Sequence, residues 1–70
     1  MHHAKLENSP RLQRVARILH RHKRPLSTME IIAKAGVCAV NSAIAELRAN
    51  GIQIKCWRSG GVWYYKEIKQ

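Results

Sequence analysis

The chain changes its hydrophobic period once, and that change sets the architecture. Up to Asn50 the apolar residues recur at helical spacing; from Ile52 onward they alternate, and Gly51 stands between the two regimes. Helices followed by strands is therefore the expected order. Seventy residues make one small domain, with no room for a second. A hydrophobic share of 46% describes a packed globule and not a disordered tail.

The first helix has a strong start at Ser9-Pro10. Serine caps free amides, and proline at the first helical position needs no partner for a missing N–H. Leu12, Val15, Ala16 and Leu19 then mark one buried face, with Ile18 at its edge. At about 100° per residue, Arg14, Arg17, Arg21 and, if the helix extends so far, Arg24 form a stripe on the opposite side. Pro25 requires the helix to stop before it. Ser27-Thr28-Met29-Glu30 is a capping box, with Leu26 and Ile31 at the positions of a hydrophobic staple. The second helix ends at Gly36, a left-handed C-cap. After a tight turn through Val37 and Cys38, a third helix is expected over 39–50, burying Val40, Ile44 and Leu47 with Ala43 alongside.

Ile52, Ile54 and Cys56 alternate with Gln53, Lys55 and Trp57, the pattern of a half-buried strand. Ser59-Gly60-Gly61 reads as a reverse turn, and Val62-Trp63-Tyr64-Tyr65 is rich in strand formers. This reading places Val62, Tyr64 and Ile68 toward the core. Trp63 and Tyr65 then share the other face with Trp57. The expected fold is α+β: a winged helix-turn-helix of three helices and a C-terminal β-hairpin, occupying 9–70 behind a flexible N-terminus at 1–8.

Thirteen Lys and Arg against four Asp and Glu give a net charge of +9. Residues 1–24 carry +6, residues 25–51 are neutral, and residues 52–70 carry +3. A small domain this basic is suited to a polyanion. No apolar run approaches the roughly 18 residues of a membrane span, and no charged-then-apolar start suggests a signal peptide, so the expected compartment is the cytoplasm. Cys38 and Cys56 lie 18 apart without metal-ligand spacing and read as small buried thiols. His2 and His3 fall in the flexible start, and His20 and His22 point apart on a helix, so neither a metal nor a cofactor is expected. The four acids, Glu7, Glu30, Glu46 and Glu67, are spread one per element. No Ser, His and acid cluster and no glycine-rich phosphate loop precedes a helix. The reading is a non-enzyme.

The run 36–54 carries a family resemblance. A glycine-hydrophobic turn at Gly36-Val37 is followed by a helix with Ile44, Glu46, Leu47 and Arg48, then by Gly51 and a strand beginning near Ile52. That run resembles the short phage-associated helix-turn-helix domain. Leu26-Ser27-Thr28-Met29-Glu30-Ile31 upstream and the closing aromatic strand also fit, so the resemblance covers about residues 10–68. The layout is similar to bacterial winged-helix regulators as well. The resemblance implies double-stranded DNA binding by a phage or prophage regulator or accessory factor at the nucleoid of a bacterial host. Helix 39–50 would lie in the major groove and hairpin 52–68 would serve as a wing, with a dimer or larger complex on DNA.

Under that reading the helix N-termini offer amides to phosphates, with Ser27 and Thr28 adding hydroxyls and Ala39 opening the third helix. Asn41 suits adenine and Arg48 suits guanine, while Ala45 beside Ser42 suits a thymine methyl. Lys55, Arg58 and Lys66 on the wing would hold backbone phosphates. The family commonly carries basic residues near the positions held here by Ala43, Ala45 and Ala49. The bare outer face of the third helix equally suits a protein partner such as a host polymerase or nuclease, which makes an adaptor the alternative. A further alternative is RNA, bound through the stripe of Arg14, Arg17, Arg21 and Arg24 and through the aromatic hairpin.

Overall fold

The computed structural model of the chain describes residues 5–68. Helix α1 (Pro10–Arg21) begins as its sequence demands: Pro10 occupies the first position, and the Ser9 hydroxyl accepts from the Leu12 N–H at 3.3 Å. It ends earlier than Pro25 requires. The backbone N–H of His22 closes on the Ile18 carbonyl at 3.1 Å, and the imidazole Nδ1 meets the same oxygen at 2.8 Å. Two corrections follow. Arg24 lies beyond the helix and does not join the arginine stripe. The apolar face is also rotated from the expected one, since Ile18 is buried with Leu12, Val15 and Leu19 while Ala16 is half-buried.

Helix α2 (Thr28–Ala35) carries both halves of its capping box. The Glu30 N–H donates to the Ser27 hydroxyl at 3.2 Å, and the Ser27 N–H donates to the Glu30 carboxylate at 3.1 Å. Leu26 and Ile31 are both fully buried, as a staple requires. Gly36 ends the helix at φ 66°, and the chain bends by 83° into α3 (Val40–Ala49). That crossing is close to the right angle of a helix-turn-helix. The α3 seam is buried as expected: Val40, Ala43, Ile44 and Leu47 all lie in the core. At its far end Asn50 does two jobs. Its side-chain amide donates to the Glu46 carbonyl at 2.8 Å, and its Oδ1 accepts from the Leu6 N–H at 2.9 Å. Residues 5–8 are accordingly held, whereas a free segment was expected over 1–8. Leu6–Asn8 is a 3₁₀ turn, Leu6 packs against the core, and Gln13 donates to the Leu6 and Glu7 carbonyls. The remainder of that segment, 1–4, lies outside the described residues.

Strands β2 (Ile54–Ser59) and β3 (Val62–Glu67) form the hairpin, and a two-residue strand, β1 (Leu26–Ser27), completes an antiparallel sheet in the order β1-β3-β2. The third strand was not expected, because Leu26-Ser27 already had roles as staple and cap. Gly60 and Gly61 have φ 57° and 78°, so the loop has two residues and Ser59 pairs with Val62. This register places Tyr65 opposite Cys56 and Tyr64 opposite Trp57. The inner face therefore carries Ile54, Cys56 and Tyr65, with Tyr65 only 3% exposed. The expected assignment of β3 was inverted. A three-residue turn at 59–61 would set Tyr64 against Cys56, and a slip of one residue moves every side chain to the other face. Val62, Trp63 and Ile68 are exposed.

The result is an α+β fold of winged-helix type. Among the described residues no single helix is long and apolar enough to cross a membrane. The hairpin turn supplies a direct test of the register. A Cβ added at Gly60 or Gly61 meets nothing within 4 Å, so the cost of alanine is the positive φ alone. Gly60→Ala and Gly61→Ala are each expected to lower stability by about 1–2 kcal/mol in urea titrations. Gly60→Asn, which tolerates that conformation, is expected to lose clearly less.

Candidate nucleic-acid interface

The seam of α3 packs inward, which leaves Asn41, Ser42, Ala45, Arg48 and Ala49 exposed. The two polar residues at the edges of that row are not free. The Tyr65 hydroxyl donates to Asn41 Oδ1 at 3.2 Å. Arg48 Nε and Nη2 both donate to the Ile54 carbonyl, at 3.2 and 2.7 Å, and Nη2 lies 3.5 Å from Cys56 Sγ. Arg48 thus covers a carbonyl of the edge strand β2, and Asn41 receives the one polar atom of the buried tyrosine. Both clamp α3 to the hairpin. A groove of about 320 Å³ runs between them, floored by Ile44 and Ala45 and walled by Trp63 and Tyr65.

The hairpin residues divide between two faces. Arg58 pairs with Trp63 and shares the face of Cys56 and Tyr65, so it stands on the α3 side near the tip. Among the described residues no hydrogen bond or ion pair engages it. Lys55 and Lys66 are paired across the strands on the opposite face with Trp57 and Tyr64. Lys66 Nζ donates to the Lys23 carbonyl at 2.8 Å, and Lys55 Nζ sits 5.7 Å from the Trp57 ring centre. The ten residues expected to share one surface therefore fall into separate groups. Ala39, Asn41, Ser42, Ala45, Arg48 and Arg58 lie on or beside α3 and the wing edge, and Lys55 and Lys66 lie behind the sheet. Ser27 and Thr28 lie at the start of α2. The hydroxyl of Ser27 is committed to its cap, and Thr28 is half-buried. Ala39 makes no side-chain cap, so the first-turn amides of α3 have no side-chain acceptor from it.

The arginine stripe is divided too. Arg14 Nε donates to the Ala35 carbonyl at 2.8 Å, placing a cation on the C-terminus of α2 where its dipole favours one. Arg24 forms a two-pronged bond to the Glu30 carboxylate and also donates to the Pro25 carbonyl. Arg24 therefore has an acidic partner in the fold. Arg17 and Arg21 remain exposed on α1 without a partner among the described residues. Arg11 pairs with Glu46 at 2.8 Å and His20 contacts Glu67 at 3.3 Å. Cys38, expected to be buried, is exposed on the α2–α3 turn, while Cys56 is half-buried. Among the described residues no group of three or more His, Cys, Asp or Glu side chains converges as metal ligands would.

Comparison with family models, curated proteins and solved structures finds no match to this chain. The site presents a narrow ridge of small side chains, Ser42, Ala45 and Ala49, beside a wing arginine, Arg58, that has no partner among the described residues. Sequence reasoning missed the outer sheet face, where Trp57 stacks on Tyr64. The two glycines of the turn held that signal, since a two-residue loop dictates the pairing.

The Glu30 network makes a pH prediction. The guanidinium of Arg24, and after it the Ser27 N–H, hold the Glu30 carboxyl down from 4.5 to about 2, and the same bond raises Arg24. Between those values the folded state keeps the carboxylate ionised while the unfolded chain protonates it. The contribution is therefore fully present above about pH 4.5 and is lost as pH falls toward 2. Thermal midpoints measured over that range should fall less steeply for Glu30→Gln than for the unaltered protein.

Proposed function

We propose that this protein binds double-stranded DNA, with α3 in the major groove and the hairpin tip on the adjoining backbone. The observation that carries the proposal is the α3 ridge. Its exposed residues are small enough for close approach to base edges, and α2 meets it at 83°, close to the geometry of a helix-turn-helix. Arg58 stands on the same side, and the uncapped first turn of α3 offers amides to a phosphate. The resemblance to the short phage-associated helix-turn-helix domain supports the same reading. It suggests a phage or prophage transcription regulator or accessory factor, acting in the bacterial cytoplasm at the nucleoid.

The clamps on Asn41 and Arg48 shape the mode of recognition. Bidentate reading of adenine needs both ends of an asparagine amide, and bidentate reading of guanine needs two parallel guanidinium N–H groups. Here Asn41 Oδ1 and two of the Arg48 donors already have partners inside the fold. We infer that phosphates supply most of the affinity, that methyl contacts from Ala45 supply part of the preference, and that pairing of two copies supplies the rest. Binding without catalysis is the assigned role. Glu30, Glu46 and Glu67 each face a basic partner, which is consistent with that assignment.

Fluorescence anisotropy on a random duplex tests the proposal. With about five phosphates contacted, log K against log salt should slope near −4.5 between about 50 and 200 mM. Arg58→Ala is expected to weaken binding equally across sequences and to make the slope shallower by about 0.9. Ala45→Glu, an exposed change to another good helix former, should weaken binding by about tenfold or more through repulsion of the backbone. A folded protein that fails to bind duplex at about 50 mM salt would contradict the proposal. Loss of duplex binding only in Arg17→Glu with Arg21→Glu would do the same, because it would move the contact to α1.

A further inference from the structure

The helix-turn-helix makes no use of the outer face of the sheet, and that face is built differently from the rest of the surface. Trp57 and Tyr64 sit directly opposite each other on β2 and β3, with ring centres 6.2 Å apart and planes 25° from parallel. Lys55 and Lys66 are the next pair along the same face. Like charges set directly across a sheet repel, and among the described residues no carboxylate is bonded to this pair. Glu67, the nearest acid in sequence, contacts His20 instead.

Two niches share the Trp57 ring as a common wall. One, of about 420 Å³, also takes in Lys55 and Lys66, with Glu67 and Ile68 at its border. The other, of about 300 Å³, is bounded by Arg24, Pro25 and Tyr64. Glu30 holds the Arg24 guanidinium in place through two bonds, so its position is fixed before any ligand arrives. The order along the surface is cation, aromatic, cation.

An unpaired nucleic-acid strand has the complementary order, a flat base between two phosphates. A duplex hides its base faces and cannot use the indole, and an acidic peptide offers charge without a ring to stack. We propose that this face binds single-stranded nucleic acid, with a base against the Trp57–Tyr64 pair and the flanking phosphates at Lys55, Lys66 and Arg24. Stacking of this kind accepts any base, so recognition is of the unpaired state and not of a sequence. The site lies on the side of the sheet away from Tyr65 and α3, and it stands independently of the duplex-binding proposal.

The test uses the whole chain with Trp63→Phe, so that Trp57 is the remaining emitter, and labelled dT and U oligonucleotides of about 12 nucleotides. Binding should quench Trp57 emission and raise the anisotropy of the label, and whichever strand binds more tightly identifies the nucleic acid as DNA or RNA. Trp57→Ala should weaken single-strand affinity about tenfold or more while leaving duplex affinity unchanged. Lys55→Gln with Lys66→Gln keeps the aromatic pair and should weaken binding while flattening its salt dependence. Ala45→Glu should leave single-strand binding intact. Three results would overturn the proposal: no binding of either oligonucleotide at about 50 mM salt, single-strand affinity that is lost in Ala45→Glu, or a poly-glutamate peptide bound as tightly as the oligonucleotides. Should Trp57→Ala prove unfolded by circular dichroism, the double lysine variant decides alone, and unchanged affinity in it would be equally fatal.

Discussion

Tyr65 is the side chain through which the helices and the sheet become one body. On β3 it pairs with Leu26 of β1 on one side and Cys56 of β2 on the other, and it is buried to 3% exposure. A buried tyrosine needs a partner for its hydroxyl. Here the partner is Asn41 on α3. The requirement to satisfy one buried O–H thus positions the third helix against the hairpin. Arg48 adds a second clamp a little under two turns further along the same helix, by covering a carbonyl of the edge strand. The helix and wing are fixed relative to each other as a result. Two residues with the chemistry to read bases are thus used to hold α3 against the hairpin.

Signals that act within a few residues were legible before any coordinates. Ser9, Pro10, the Ser27–Glu30 capping box and Gly36 each settle a helix end through local bonding, and the structure agrees on all of them. Strand β1 was not legible, because two residues carry no periodicity and both already had local roles. The face of β3 was misread by one residue, although Gly60-Gly61 contained the answer. Charge partnerships were the least visible. Arg14 finds the Ala35 carbonyl 21 residues away, and Arg24 meets Glu30 across a connection with no regular spacing. Neither follows from a helical wheel, because the first depends on how α1 lies against α2 and the second on the path of the connection beyond α1. Asn41 and Arg48 were singled out as residues that read bases, and what the structure shows of them is a tertiary role, each holding α3 to the hairpin.

The charge of +9 takes on a different meaning once partners are assigned. Glu30, Glu46 and Glu67 are all drawn into pairs within the fold. The cations left over are not gathered on one side. Among them, Arg58 stands at the wing edge, Arg17 and Arg21 on the back of α1, Lys55 with Lys66 behind the sheet, and Lys5, Lys23 and Lys34 elsewhere on the surface.

On the proposed function, α3 and the wing edge meet a duplex as one preformed surface. Amide chemical-shift mapping of the isotope-labelled protein during titration with a short duplex tests it residue by residue. The account predicts that shifts concentrate at Ser42, Ala45, Ala49 and Arg58, while Arg17 and Arg21 stay unchanged. Shifts centred on Arg17 and Arg21, with the α3 amides unmoved, would contradict it.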